Sequence, residues 1–314
     1  MTSADDLLPT SYLRRRGSRP QTEMRQQASR IARVRRGVYT ATGLWEDLEA
    51  ADRYRMFVVA TVECMRTDRP LLCGLSAAAI WGLPTVGSWP TTVEVLGARG
   101  GPGSTGNVVR RRVIQIPDAH EVDGLRLTSP SRTVLDVARS ADFAAALTIA
   151  DAALRAQLCT AAGLDAELAK VGPRARGRGA AAHIVRLADG RSESPGESLS
   201  RARMWELGLP QPRLQVPLTD DHGTYGRGDF GWPGVVGEFD GKLKYAADET
   251  TGRTAQDVLW REKLREDRIR RHARVVRWTW ADALGTHEMA RKLAEVGIRT
   301  TNPRNAWVRR DPER

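Results

Sequence analysis

Residues Tyr225–Lys244, YGRGDFGWPGVVGEFDGKLK, carry the reading that decides the fold of the C-terminal part of this chain. Val235, Val236 and Phe239 favour a strand, and Trp232-Pro233-Gly234 favours a turn. With Pro233 and Gly234 as the two turn residues, Trp232 faces Val235, and the same register sets Asp229 opposite Glu238. Side chains alternate faces along a strand, so Glu238, Asp240 and Lys242 share a face. Directly opposed like charges destabilise a sheet. Glu238 and Asp240, roughly 7 Å apart along the strand, repel by about 2.4 kcal/mol at an effective dielectric of about 20. Two readings follow. A hard divalent cation such as Mg²⁺ sits among the acids, or the face is solvated and the acids pair with Lys242 and Lys244.

The run Asp229-Phe230 … Val236-Gly237-Glu238-Phe239-Asp240-Gly241, with Glu197 upstream, resembles the PD-(D/E)XK nuclease superfamily, and within it the small bacterial domains related to very-short-patch repair endonucleases. The ending is also similar: Glu262-Lys263-Leu264-Arg265-Glu266-Asp267-Arg268 as a basic helix, then a strand with Val275-Val276-Arg277 at its core. The resemblance covers roughly Ser194 to the C-terminus and implies a restriction-endonuclease-like domain. It implies Asp229, Glu238 and the Phe239 carbonyl as ligands of Mg²⁺ or Mn²⁺, with Glu197 and Asp240 in the acidic set. Gly228 precedes Asp229 where that family has Pro. Asp240 stands where it has Lys, so Lys242 or Lys244 must supply the catalytic ammonium.

Composition narrows the class. Formal net charge is +11 over 314 residues, with a pI near 10.2. That balance points to nucleic acid or an anionic membrane surface as the attracting partner. Hydrophobic residues are 41% and charged residues 28%, as in ordinary globular proteins. No apolar run spans a bilayer and no signal sequence is read, so a cytoplasmic protein with no membrane partner is expected. Cys64, Cys73 and Cys159 have neither disulfide nor zinc spacing. No Ser/His/Asp triad and no dinucleotide fingerprint is present. The Gly-rich stretch Gly97–Gly106 lacks a phosphate-binding lysine and a following helix, so no small-molecule cofactor is expected.

At the N-terminus, patterning predicts a helix over Asp5–Arg16, a second over Gln21–Ser29 and a basic strand or wing over Ile31–Tyr39. This order, ending R-V-R-R-G-V-Y, resembles the winged helix-turn-helix domain of AbiEi-type antitoxins, the antitoxin half of type IV toxin–antitoxin systems. The segments LSAAAIWGLP (75–84) and T-S-P-x-R-T-x-x-D (128–136) are similar to the domain that follows it. The resemblance implies DNA contacts from Arg25, Arg30, Arg33, Arg35 and Arg36, and a cognate toxin as partner. Arg201, in the last domain, would position the DNA backbone.

The remaining elements follow from pattern. Helices are expected at 52–66, 75–81, from Ser129 as N-cap with Pro130 at the first position, at 143–156 and at 161–170, the last two completing a middle helical layer. Arg132 and Asp136 are four apart, the spacing of a helical ion pair. Strands are expected at 92–96, 108–116, 125–127 and 214–216. Val171–Ala180, VGPRARGRGA, reads as a basic linker or a turn between helices, exposed to proteases. Ser194-Pro195-Gly196-Glu197 opens the last helix, with Ser194 and Glu197 as a capping box, a structural alternative to metal binding by Glu197.

The fold expected is α+β and multidomain: a winged helix over 1–42, an α/β middle domain over 43–170, a basic linker and short helix (Ala181–Ala188) over 171–193 and a nuclease-like domain over 194–314. Two functions remain open. One is a metal-dependent nuclease, the other a non-enzymatic antitoxin-like regulator on an inactive nuclease fold.

Overall fold

The computed structural model describes residues 7–9, 31–65, 69–98, 104, 106–113, 116–221, 223–241, 268–285 and 287–300. Lys242, Lys244, Arg25, Arg30 and the expected helix at Gln21–Ser29 lie outside them, as does most of the basic helix before Ile269. The chain packs as two units, residues 1–142 with 157–186, and residues 143–156 with 187–314. Each is a mixture of helices and sheets, the α+β multidomain class expected.

The first unit begins with a three-stranded sheet in the order β1-β3-β2, built from β1 (Leu8–Pro9), β2 (Ile31–Arg35) and β3 (Val38–Ala41). Leu8 pairs with Tyr39 and Pro9 with Val38, so the helix expected over Asp5–Arg16 does not hold at these two residues, whose backbone forms a sheet edge instead. Val34 and Val38 turn inward onto Met56 and Ala60. Those two residues belong to α2 (Ala50–Glu63), which follows α1 (Thr42–Asp47), a short helix the sequence did not announce.

A five-stranded sheet follows, in the order β6-β5-β4-β8-β7. Its strands are β4 (Leu71–Leu72), β5 (Val93–Ala98), β6 (Val108–Val113), β7 (His120–Val122) and β8 (Leu125–Leu127). The three expected strands, β5, β6 and β8, are present; β4 and β7 are too short for alternation to reveal. Helix α3 (Gly74–Ile80) covers the sheet with small buried residues. The Ser76 hydroxyl on α3 bonds the Tyr54 hydroxyl at 2.8 Å and accepts the Glu94 amide at 2.8 Å, tying α2, α3 and β5 together.

Helix α4 (Pro130–Ala138) starts as the sequence predicts: Ser129 Oγ accepts the Arg132 amide at 3.2 Å and Pro130 occupies the first turn. Arg132 Nε donates to Asp136 Oδ1 at 2.9 Å, the expected helical ion pair. Helices α6 (Ala161–Ala169) and α7 (Arg178–Leu187) complete the unit. The segment read as a linker or a turn between helices is a turn joining α6 to α7, and it is fastened. Arg178 Nη1 donates to the Leu168 carbonyl at 2.7 Å and to the Val171 carbonyl, and Arg139 reaches the Arg176 carbonyl at 3.2 and 3.3 Å. Arg178 here serves the backbone, while Arg174 and Arg176 are exposed.

The second unit gathers α5 (Phe143–Arg155), α8 (Pro195–Glu206), and a four-stranded sheet in the order β12-β11-β10-β9. Helix α5, expected in the middle layer, packs on α8 because its face of Ala144, Leu147 and Asp151 is matched there and fully buried. The strands are β9 (Arg213–Asp220), β10 (Gly223–Trp232), β11 (Val235–Asp240) and β12 (Arg274–Thr279). Trp232 pairs with Val235 across Pro233-Gly234, the predicted turn, and β12 joins β11 in parallel. Phe230 stacks on Trp278 at 5.1 Å, and Trp278 Nε1 donates to Ser200 Oγ at 2.7 Å, seating the sheet on α8. Helices α9 (Trp280–Gly285) and α10 (His287–Glu295) close the described part.

Gly177 makes the fastening of residues 171–178 testable. It sits at φ +78°, and a Cβ there would lie 2.1 Å from the Arg139 carbonyl oxygen, a backbone atom that cannot yield. Gly177→Ala is expected to cost about 1–3 kcal/mol and to open Arg174–Arg178 to trypsin under conditions in which the wild type resists cleavage there. Limited proteolysis with mass mapping reads both.

Candidate functional site

Two groups of residues were singled out by the sequence, the basic wing of the first unit and the acidic hairpin of the second. In the wing, a bulge between Arg33 and Arg35 shifts the β2–β3 register around Val34, which keeps Val34 in the core. Arg33 and Arg36 are exposed and Arg35 is half-buried, and none of them has an acidic partner among the described residues. Cationic side chains at a hairpin tip without counter-charges are suited to phosphates.

The hairpin differs from its expected geometry at the acids. The β10–β11 ladder ends at Phe230 opposite Gly237. One residue further, the predicted confrontation of Asp229 with Glu238 is replaced by a backbone bond: Asp229 Oδ2 accepts the Phe239 amide at 2.8 Å. The Glu238 carboxylate turns to the other neighbour. In the parallel register Glu238 stands opposite Arg277, and Arg277 Nε donates to Glu238 Oε2 at 2.8 Å. The like-charge repulsion that called for a cation is offset by that guanidinium. Asp240 lies opposite Thr279 on the same pair of strands.

Glu197 acts in the way the capping alternative describes. Its amide donates to Ser194 Oγ at 3.2 Å. Its carboxylate accepts from Ser194 Oγ, from the Glu193 amide and from Gln215 Nε2, each at 2.9 Å. Burial pushes the Glu197 carboxyl up, the Glu193 amide opposes that, and the charge of Asp229 raises it again. Asp229 and Glu197 therefore sit in each other's field. The rest of the S-P-G-E segment is explained by packing: Pro195 takes the first turn, and a Cβ on Gly196 would meet the Phe239 ring at 2.0 Å. Phe239 is thus pinned at its amide by Asp229 and at its ring by α8, with Trp280 edge-on at 5.4 Å.

Arg201 does not reach solvent. It is buried, and its Nη1 donates to Asp151 Oδ2 at 2.6 Å. Ser198 Oγ and the Asp189 amide also bond Asp151, both at 2.8 Å, so the carboxylate is saturated. The expected backbone-positioning role of Arg201 is corrected: a helix placed the arginine inward, facing an aspartate that is 50 residues away in sequence. Arg277 and Asp151 are the residues that sequence reasoning missed. Val275-Val276-Arg277 was visible as a strand core, but which acid its arginine meets depends on a parallel register that no local pattern encodes.

Among the described residues, no three His, Cys, Asp or Glu side chains gather to hold a metal ion. Asp229 and Glu238 each already accept a bond from a protein donor, with which a cation such as Mg²⁺ or Mn²⁺ would have to compete. No helix among the described residues is long and apolar enough to cross a membrane.

Comparison with known proteins agrees with the first unit's reading. Residues 72–185 match the family model of the AbiEi antitoxin C-terminal domain. The chain is 30% identical over 251 residues to the uncharacterized proteins MT2308 and Rv2248 of two Mycobacterium tuberculosis strains, covering 77% of this chain and 88% of each relative. It belongs to the same family as these two proteins. A crystal structure of the RV2827C protein from M. tuberculosis shares 12% identity over 57% of this chain and 71% of its own, at a TM-score of 0.36, too low to bear on the fold.

Two substitutions test these assignments. A double-mutant cycle on Glu238→Gln and Arg277→Met is expected to give a coupling of about 1–3 kcal/mol, the range of a charged hydrogen bond that is partly shielded. Arg201→Met strands the Asp151 carboxylate and is expected to cost roughly 3–5 kcal/mol. Urea denaturation measures both.

Proposed function

We propose that this chain is a DNA-binding regulator of the antitoxin type, with a cognate toxin as its protein partner. The observation that carries the reading is the wing: Arg33, Arg35 and Arg36 on a hairpin with no acidic partner among the described residues, upstream of a region that matches the AbiEi antitoxin family model. Phosphate contacts from such a hairpin fix position, and the helix expected to enter the major groove, with Arg25 and followed by Arg30, precedes it in sequence. The net charge of +11 supplies long-range attraction to the duplex.

A second reading keeps the enzyme. The second unit runs helix, three antiparallel strands and a fourth strand parallel to the third, the order the nuclease resemblance implies, and Glu197 and Asp229 lie in each other's field. In that reading Mg²⁺ or Mn²⁺ would have to draw Glu238 away from Arg277, and Lys242 or Lys244 would supply the positive charge. The partnered state of Glu197, Asp229 and Glu238 favours the regulator, in which this fold binds and does not cut.

Replacing Arg33, Arg35 and Arg36 together with Ala is expected to weaken duplex binding and to flatten its log–log salt slope by about 0.9 for each phosphate no longer neutralised. Electrophoretic mobility shift across a salt series measures this; an unchanged slope would refute the wing assignment. Incubation with plasmid, single-stranded DNA and RNA in Mg²⁺, Mn²⁺ or EDTA is expected to leave all substrates intact. Metal-dependent cleavage that disappears in Glu238→Gln would establish the second reading in its place.

A further inference from the structure

The first unit holds a cavity of about 440 Å³ that none of the roles above uses. It is lined by Arg111, Arg132, Arg139 and Arg176 and by one carboxylate, Asp136, with Leu96 and Val113 as an apolar wall. Residues from three parts of the chain meet here. Arg111 comes from β6, Arg132 and Asp136 belong to the T-S-P-x-R-T-x-x-D segment, and Arg176 comes from the stretch that read as a linker or turn. The fastening at Gly177 is what brings Arg176 to the wall, since the Arg139 guanidinium holds the Arg176 carbonyl.

The charges are only partly neutralised. Arg111 is held by Glu94 and by Ser140 Oγ, and Arg132 spends its Nε on Asp136. Arg139 uses Nε and Nη2 on the Arg176 carbonyl, leaving Nη1, and the Arg176 guanidinium is exposed with no partner among the described residues. With Glu94 counted beside Asp136, four guanidinium groups face two carboxylates. Planar guanidinium forks in a concave site match phosphate oxygens in both charge and geometry.

A second observation narrows the ligand. Asp136 is 6% exposed, and its Oδ2 is buried without a hydrogen-bond partner among the described residues. A buried carboxylate beside the guanidinium groups makes that side of the wall unfavourable for a second anionic group. Burial pushes the Asp136 carboxyl up, and Arg132 and Arg111 oppose that. A purely anionic occupant, such as an acidic peptide, offers Asp136 only repulsion. A DNA backbone presents a ridge too large for a cavity of this volume, whereas ligand pockets begin at about 300 Å³.

We propose that this pocket binds a small phosphorylated molecule of the nucleoside-monophosphate class, with the phosphate on Arg139 and Arg176 and its uncharged hydroxyl or amino groups toward the Asp136 side of the wall. The apolar wall of Leu96 and Val113, backed by Leu71 and Cys73, then receives the base. The pocket lies wholly within the first unit and does not depend on DNA binding by the wing.

Isothermal titration of the full chain with AMP, GMP, CMP and UMP, with inorganic phosphate, with the matching nucleosides and with a duplex oligonucleotide tests it. At least one monophosphate is expected to bind at least tenfold more tightly than phosphate or its own nucleoside. Arg176→Ala, an exposed substitution that leaves the fold in place, is expected to weaken that binding at least tenfold with an unchanged melting temperature, while duplex binding is retained. No binding by any monophosphate, equal binding by phosphate alone, or binding indifferent to Arg176→Ala would each overturn the proposal. So would competition in which duplex DNA displaces the monophosphate from wild type and loses its own affinity in Arg176→Ala, because the pocket would then be part of a DNA surface.

Discussion

The buried Asp151–Arg201 pair is the constraint on which the second unit depends. Neither charge can be left alone in that interior, so α5 and α8 must meet wherever the rest of the chain goes. The Asp189 amide and Ser198 hydroxyl complete the carboxylate, which also fixes the turn that leads into α8. With α8 fixed, its first turn is fixed, and Ser194 and Glu197 close the cap. Gly196 then admits the Phe239 ring, and Ser200 receives Trp278, so the sheet is registered on the helix from both β11 and β12. The hairpin acids are arranged last, by neighbours already in place.

That hierarchy explains why a plausible metal site in the sequence becomes a set of partnered carboxylates in the structure. Asp229, Glu238 and Glu197 are each satisfied by a group whose position comes from a different element: a backbone amide, an arginine on a parallel neighbour and a helix cap. Low effective dielectric makes each of these bonds stronger than it would be in water, and makes an unpaired acid correspondingly costly.

Local chemistry was legible in the sequence, and long-range pairing was not. Trp232-Pro233-Gly234-Val235 predicted its own turn, Ser129-Pro130 its own helix start, and Arg132 and Asp136 their ion pair, because each partner is a few residues away. The Asp151–Arg201 contact spans 50 residues and the Glu238–Arg277 contact 39, and helical or strand periodicity says only that such residues face inward or outward. At VGPRARGRGA composition showed an exposed linker or turn but not its fastening, because Gly177 approaches Arg139 and Arg178 binds carbonyls at distant positions. For the same reason no phosphate-binding motif announced the arginine pocket: its four guanidinium groups come from segments that only the sheet and α4 bring together.

Asp229 and Glu238 are held by protein partners, and on whether they serve only the fold the choice between regulator and enzyme turns. Thermal denaturation of the wild type against increasing Mg²⁺, with NaCl matched for ionic strength, tests it most directly. The expected result is no saturable rise in melting temperature beyond the NaCl control, and the same flat response in Glu238→Gln. A saturable rise in the wild type that Glu238→Gln abolishes would contradict it, since a ligand bound to the native state must raise stability by RT ln(1 + [L]/Kd).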